Sequence, residues 1–214
     1  MGKSGIAKIF ILMLSVASVL TLASVCFAAD NDNDFDRYGV RIRGIYIIPD
    51  QHIDGRLAPL GVQVQDAVAP ELDLEYFITR NFSAELVLAL SKHDIMLDNG
   101  GINAGSLWLL PPSLLVKYHP IPKAIVSPYV GFGMNVVMPF DERLTVDGAR
   151  VPFKVDATVG WAAQVGADIP ISKHCFFNID AKYYSTGMDM HIAGTRYDLD
   201  INPFIIGTGI GFRF

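Results

Sequence analysis

Eight stretches of this chain alternate between apolar residues and polar or small ones, with a repeat of two residues rather than the helical 3.6. A period of two is the signature of a strand with unlike faces, so the pattern restricts the chain to an all-β architecture. In Tyr38 to Pro49, Val40, Ile42, Tyr46 and Ile48 share one face, and Arg41 and Arg43 share the other. PELDLEYFI sets Leu72, Leu74, Tyr76 and Ile78 against Glu71, Asp73 and Glu75. FSAELVLALS sets Phe82, Leu86, Leu88 and Leu90 against Ser83, Glu85 and Ser91. Leu107 to His119 opposes Leu114, Val116 and Tyr118 to Ser113 and Lys117, and Ser127 to Met138 opposes Val130, Phe132, Met134 and Val136 to Gly131, Gly133 and Asn135. In Lys154 to Asp168, Val155, Val159, Trp161, Ala163 and Val165 oppose Asp156, Thr158, Gln164 and Asp168. Phe176 to Tyr184 opposes Phe177, Ile179, Ala181 and Tyr183 to Asn178, Asp180 and Lys182. Ile201 to Phe214 puts Phe204, Ile206, Ile210, Phe212 and Phe214 outward, opposite Gly209, Gly211 and Arg213.

A soluble sandwich also alternates. Three features favour a barrel that crosses a bilayer. The charges recur on one face over about ten residues per strand. Aromatics (Tyr38, Tyr76, Phe82, Tyr118, Tyr129, Tyr183 and Phe214) gather at strand ends, where an interfacial girdle would sit. Long connections (49–69, 92–106, 139–153, 185–200) alternate with shorter ones (79–81, 120–126, 169–175), matching extracellular loops and periplasmic turns. Composition agrees: the chain is 51% apolar, with a mean hydropathy of +0.34. Beyond the N-terminal region it has no apolar run of the roughly eighteen residues that a spanning helix needs. The expected fold is an eight-stranded antiparallel transmembrane β-barrel. Its last strand closes against the first, with Phe212 and Phe214 facing lipid, because unpaired backbone in hydrocarbon costs several kcal/mol per group.

Residues 1–28 have the features of a cleaved signal peptide: Lys3 and Lys8, an apolar run from Ile9 to Leu22, and small residues before the expected cut after Ala28. This leaves 29–214 as a single barrel domain. Without the two leader lysines, the 17 basic and 22 acidic residues give a mature charge of −7, which offers no basic stripe for nucleic acid. Two cysteines, one of them in the leader, provide neither a disulfide framework nor a Cys-based metal site.

Four stretches, LPPSLLVKYHP (110–120), SPYVGFGMN (127–135), GWAAQVGAD (160–168) and the terminal GFRF, resemble the OmpW family of small outer-membrane proteins. The resemblance implies an eight-stranded barrel with a long, narrow hydrophobic channel for small apolar molecules. The expected location is the bacterial outer membrane. Expected partners are outer-membrane lipid, lipopolysaccharide, small hydrophobic ligands and the barrel-assembly machinery.

No cofactor is expected. His52, His93, His119, His174 and His191 fall in or beside loops and turns without metal-ligand spacing. With no G-x-S-x-G and no nucleophile–base pair, the chain reads as a non-enzyme.

Strand direction sorts the inward residues by height. Arg41, Arg43, Asp73, Glu75, Glu85, Lys117, Asp168, Asp180 and Arg213 fall low and midway, where they should pair internally as a charged plug. Ile45, Ile47, Val87, Ala89, Leu107, Leu109, Val137, Ile201 and Ile205 fall above it, as an apolar lumen open to the outside. Pro111 and Pro112 cannot donate to the ladder, so a bulge is expected there; it would turn Trp108 inward in place of Leu107 and Leu109. An eight-stranded barrel is just wide enough to be filled by side chains or to hold one small ligand. The expected function is therefore passive passage of small hydrophobic molecules. The alternative is a structural or surface-interaction barrel, receptor- or adhesion-like, with a packed and inert lumen.

Overall fold

The computed structural model describes residues 36–53, 55, 61, 63–97, 101–146, 149–192 and 194–214; the expected leader, 1–28, lies outside them. Eight strands form the wall: β1 (Tyr38–Ile48), β2 (Ala67–Phe77), β3 (Phe82–Ala89), β4 (Ser113–Tyr118), β5 (Ser127–Val146), β6 (Thr158–Pro170), β7 (Cys175–Ser185) and β8 (Phe204–Arg213). Each pairs antiparallel with the next, and β8 pairs with β1 from Gly39↔Arg213 to Ile48↔Phe204, which closes the barrel. Beyond that ladder, Tyr38 and Phe214 exchange backbone hydrogen bonds of 2.9 Å in both directions. Closure leaves the wall no unpaired edge, which a hydrocarbon environment would penalise.

The outer surface carries an apolar belt that includes Leu74, Leu114, Val130, Phe132, Met134 and Ile179. At the short-turn, periplasmic end, the Tyr38 ring lies 5.5 Å from Tyr76 and 6.0 Å from Phe214, and Phe82 lies 5.0 Å from Tyr118. Toward the other end, Trp161 lies 5.6 Å from Tyr183, and Trp108 stacks on Phe140 at 6.3 Å. From the level of Trp108 upward the outward face becomes charged: Lys92, opposite Trp108 in the ladder, pairs with Asp94 at 3.1 Å. That change marks the extracellular limit of the belt.

Several expectations are corrected. The long connections are not all loops. Ser91–Leu97 pairs with Ile102–Leu110, Gly187–Ile192 pairs with Thr195–Ile201, and the upper part of β5 pairs with Ala149–Val151, so β-ribbons extend the barrel outward. Val155 belongs to one of these ribbons, where it is buried beside Met190 rather than facing lipid. Tyr129 is not a girdle residue. It is 1% exposed and points inward, as its place next to outward Val130 requires. Phe212 shares the outward parity of Phe214, yet it is 7% exposed against 59%.

No bulge occurs at Pro111–Pro112. Ser113↔Asn135 and Leu110↔Met138 keep one register with β5, and Val87↔Ser113 and Ser91↔Leu109 keep one register on the other side. Leu107 and Leu109 therefore stay inside, and Trp108 stays outside. The register shift falls instead between Ser106 and Trp108, where opposing Asp141 adopts a positive φ of 50°. The prolines leave a gap in hydrogen bonding rather than a change of phase. The β3–β4 ladder stops at Val87↔Ser113 and resumes only at Ser91↔Leu109.

Candidate functional site

The lower half of the interior is a network of charges. Arg41 bonds Glu75 at 2.5 Å, Glu85 at 2.7 Å and Asp168 at 3.2 Å. Arg43, one inward step higher, contacts Glu71, Asp180 and Asp73, the last at 2.8 Å. Lys117 reaches Glu85 at 3.1 Å and Glu75 at 3.3 Å, and Lys182 reaches Glu71 at 2.5 Å. Arg213 pairs with Asp168 at 2.6 Å near the periplasmic end. Five cations thus face six carboxylates in a nearly neutral layer, which is the condition for keeping such groups buried.

All nine residues expected in the plug (Arg41, Arg43, Asp73, Glu75, Glu85, Lys117, Asp168, Asp180 and Arg213) lie in this network. Neutral groups extend it: Asn178 Nδ2 donates to Asp168 at 2.8 Å and to Tyr129 at 2.9 Å, and Gln164 donates to Asp180 at 2.6 Å. The inner face of β8 makes room for the layer with glycine at 207, 209 and 211. A Cβ on Gly207 would lie 2.7 Å from the Asp180 carboxylate, and one on Gly211 would overlap the Phe176 ring. His119, expected in or beside a turn, is buried beneath the layer, 3.1 Å from Glu75. The X-Pro turn after it gave no hint of that contact.

Above the charges lies a packed apolar layer that includes Ile45, Val87, Leu115 and Ala162. Above that layer the interior opens into a chamber of about 60 Å3. Six of the nine residues expected to form the apolar lumen line it: Ile47, Leu107, Leu109, Val137, Ile201 and Ile205. The other three, Ile45, Val87 and Ala89, belong to the packed layer below. Met188 also lines the chamber. Its signal is present in the alternation of Met188 and Met190 with Asp189 and His191, within the stretch 185–200 whose length reads as a loop.

The polar groups of the chamber wall are mostly satisfied. His93 Nδ1 lies 3.3 Å from the Gln65 carbonyl, and its Nε2 lies 3.0 Å from the Ser91 hydroxyl. This places the ring hydrogen on Nδ1, with Nε2 accepting. Burial lowers the His93 pKa below its ordinary value, which favours the neutral ring. At the floor stand Asn135, Thr186 and Tyr184. The chamber can hold a small, mainly apolar body.

A closed eight-stranded wall with an apolar belt, aromatic rims and a charged, internally paired lumen defines a small outer-membrane β-barrel protein. The chain belongs to the OmpW family, whose model matches residues 40–214. It is 31% identical over 183 residues to the uncharacterized outer-membrane protein y4mB of Sinorhizobium fredii, covering 82% of this chain and 79% of the relative. It is 25% identical over 173 residues to the dibenzothiophene metabolism operon protein PahQ of Pseudomonas aeruginosa, covering 76% and 80% of the two chains. The fold matches the crystal structure of the outer membrane protein OprG from Pseudomonas aeruginosa with a TM-score of 0.74, at 22% identity over 84% of this chain and 96% of that one.

Proposed function

We propose that this barrel binds small hydrophobic molecules at its extracellular side and passes them into the outer membrane. The observation that carries the reading is the apolar chamber, closed below by a packed apolar layer and then by the ion-paired network. Apolar solutes cross a polar lipopolysaccharide layer poorly, and a desolvated cavity gives them a favourable place to enter. Straight descent is opposed by the packed layer and the charges beneath it. The wall is weakest where the β3–β4 ladder is interrupted beside Pro111, which lines the chamber. Cargo therefore leaves sideways, between Leu88–Leu90 and Leu110–Pro112, where outward Leu90 meets lipid. The relative named for a dibenzothiophene metabolism operon supports this reading, since dibenzothiophene is a fused, uncharged aromatic.

The test is uptake of labelled toluene by cells that differ only in making this barrel. Faster uptake with the barrel is expected. Equal rates would refute the proposal and favour a barrel whose function lies in its surface loops.

A further inference from the structure

The periplasmic end of the barrel carries a charge opposite to that of the chain. Its turns and strand ends, 36–38, 78–82, 119–126, 170–174 and 213, hold the cationic side chains of Arg37, Arg80, Lys123, Lys173 and Arg213 against the single carboxylate of Asp36. The chain as a whole has a net charge of −5. Arg80, Lys123, Lys173 and Arg213 line a cavity of about 260 Å3. That cavity lies beneath the lumen rather than on the lipid face, since buried Phe77 also lines it and Arg213 reaches up from it to Asp168. A cleft lined by one sign of charge draws in the other. Asp36 already lines this one, with its carboxylate 3.4 Å from His174 Nδ1.

Asp36 is also the last residue of an acidic run. Positions 30–36 read DNDNDFD, so Asp30, Asp32 and Asp34 precede it. The chain is fixed at the rim of the cavity, where the Arg37 carbonyl accepts from the Phe77 amide at 2.7 Å. At about 3.4 Å per extended residue, Asp34 lies within ~7 Å of Asp36 and Asp30 within ~20 Å. We infer that the run 30–36 turns back into this mouth and seats its carboxylates among Arg80, Lys123, Lys173 and Arg213. Docked there, it neutralises the cations and closes the periplasmic end below the ion-paired layer. A short tether gives such carboxylates an effective concentration on the order of millimolar, which favours them over a free periplasmic anion. A lipid headgroup is disfavoured by position, because the cavity sits under the lumen and inside the aromatic ring of Tyr38, Tyr76 and Phe214. The inference does not depend on the transport reading.

A carbodiimide joins a carboxylate to an amine where the two touch, so it reads this docking in the full barrel, isolated from outer membranes and held one per lipid nanodisc. Mass spectrometry should find the run 30–36 joined to Lys123 or Lys173. Lys154 and Asp156, paired at 2.7 Å at the other end, report that the reagent works. Arg80→Gln leaves both lysines in place and should lower the yield about two- to five-fold, the worth of one exposed ion pair. Asp32→Asn combined with Asp34→Asn leaves Asp30 as reporter at unchanged reach, and its link should fall by at least as much. Heat-modifiable migration verifies that each variant has folded. If the control pair reacts and the wild type shows no link to Lys123 or Lys173, the inference is overturned and the mouth is left to an anion from outside the chain. If links form but neither set of substitutions lowers them, tethering alone brings the groups together and the inference fails as well. Both results leave the chamber untouched, since toluene uptake tests it separately.

Discussion

Replacing Ile47 by aspartate puts a carboxylate into the chamber wall while leaving the lipid-facing surface of β1 intact. Ile47 is 6% exposed, faces inward between Ala67 on β2 and Ile205 on β8, and lines the cavity. The ion-paired layer lies lower, at the level of Arg43 and Glu71. The new charge would therefore hold water in the chamber rather than join the network. A ligand resting on Ile47 loses the contact of one buried aliphatic side chain, worth roughly 1.5–3 kcal/mol, or about ten- to a hundred-fold in affinity. Toluene binding in nanodiscs and toluene uptake by cells should both fall by that order. Val40→Ala, which shortens an outward side chain on the same strand, is the control and should change little. Heat-modifiable migration on gels verifies that each variant has folded. A folded Ile47→Asp barrel with wild-type toluene binding would refute the chamber as the binding site and leave the inert-lumen alternative as the better account.

The charged layer should make the wild-type barrel a poor ion conductor in planar bilayers. Arg43→Met, which deprives Glu71, Asp73 and Asp180 of a shared cation, should lower stability by about 3–5 kcal/mol, read as a drop in the urea midpoint; a large, stable wild-type conductance would contradict the plug. Deleting Gly211–Phe214 removes the pairs Arg41↔Gly211, Val40↔Phe212 and Gly39↔Arg213 together with both Tyr38–Phe214 bonds, so the protein should not reach the heat-modifiable state; normal barrel levels in the outer membrane would count against this. His93 has a lowered folded pKa, so the unfolded chain takes up its proton first on acidification. Its contribution to stability should stay level above about pH 6.5 and decline below it, until the folded ring also protonates. Unfolding midpoints over that range should depend less on pH in His93→Gln, and identical profiles would reject this assignment.

Much of this protein is legible one strand at a time. Successive strand side chains point to opposite faces, so the parity of Arg41, Glu75, Glu85 and Lys117 placed them inside without any knowledge of their partners. The same rule put Leu114, Phe132 and Ile179 against lipid, and the count of such runs led to a barrel. Parity is a local property, set by the backbone, which is why it survived into three dimensions. Even the ribbon over 187–192 carried it, although glycine and charge in that stretch made it look like a loop.

What parity cannot supply is height and register, and these depend on strands far apart in the chain. Lys182 meets Glu71 across a separation of 111 residues, and Ser113 meets Tyr184 across 71. The continuity of the ladder past Pro111 and Pro112 was decided by β5 and by the pairing of Ser91 with Leu109, since neighbours on both sides hold the phase that the prolines alone would lose. Phe212 is buried in the folded barrel while Phe214, with the same parity, is exposed. The chamber is a gap between side chains that closure brings to one level, with Asn135 facing bare Gly160 at its floor. Alternation along each strand determined which residues turn inward. Only closure of the sheet decided which of them meet and where they leave space.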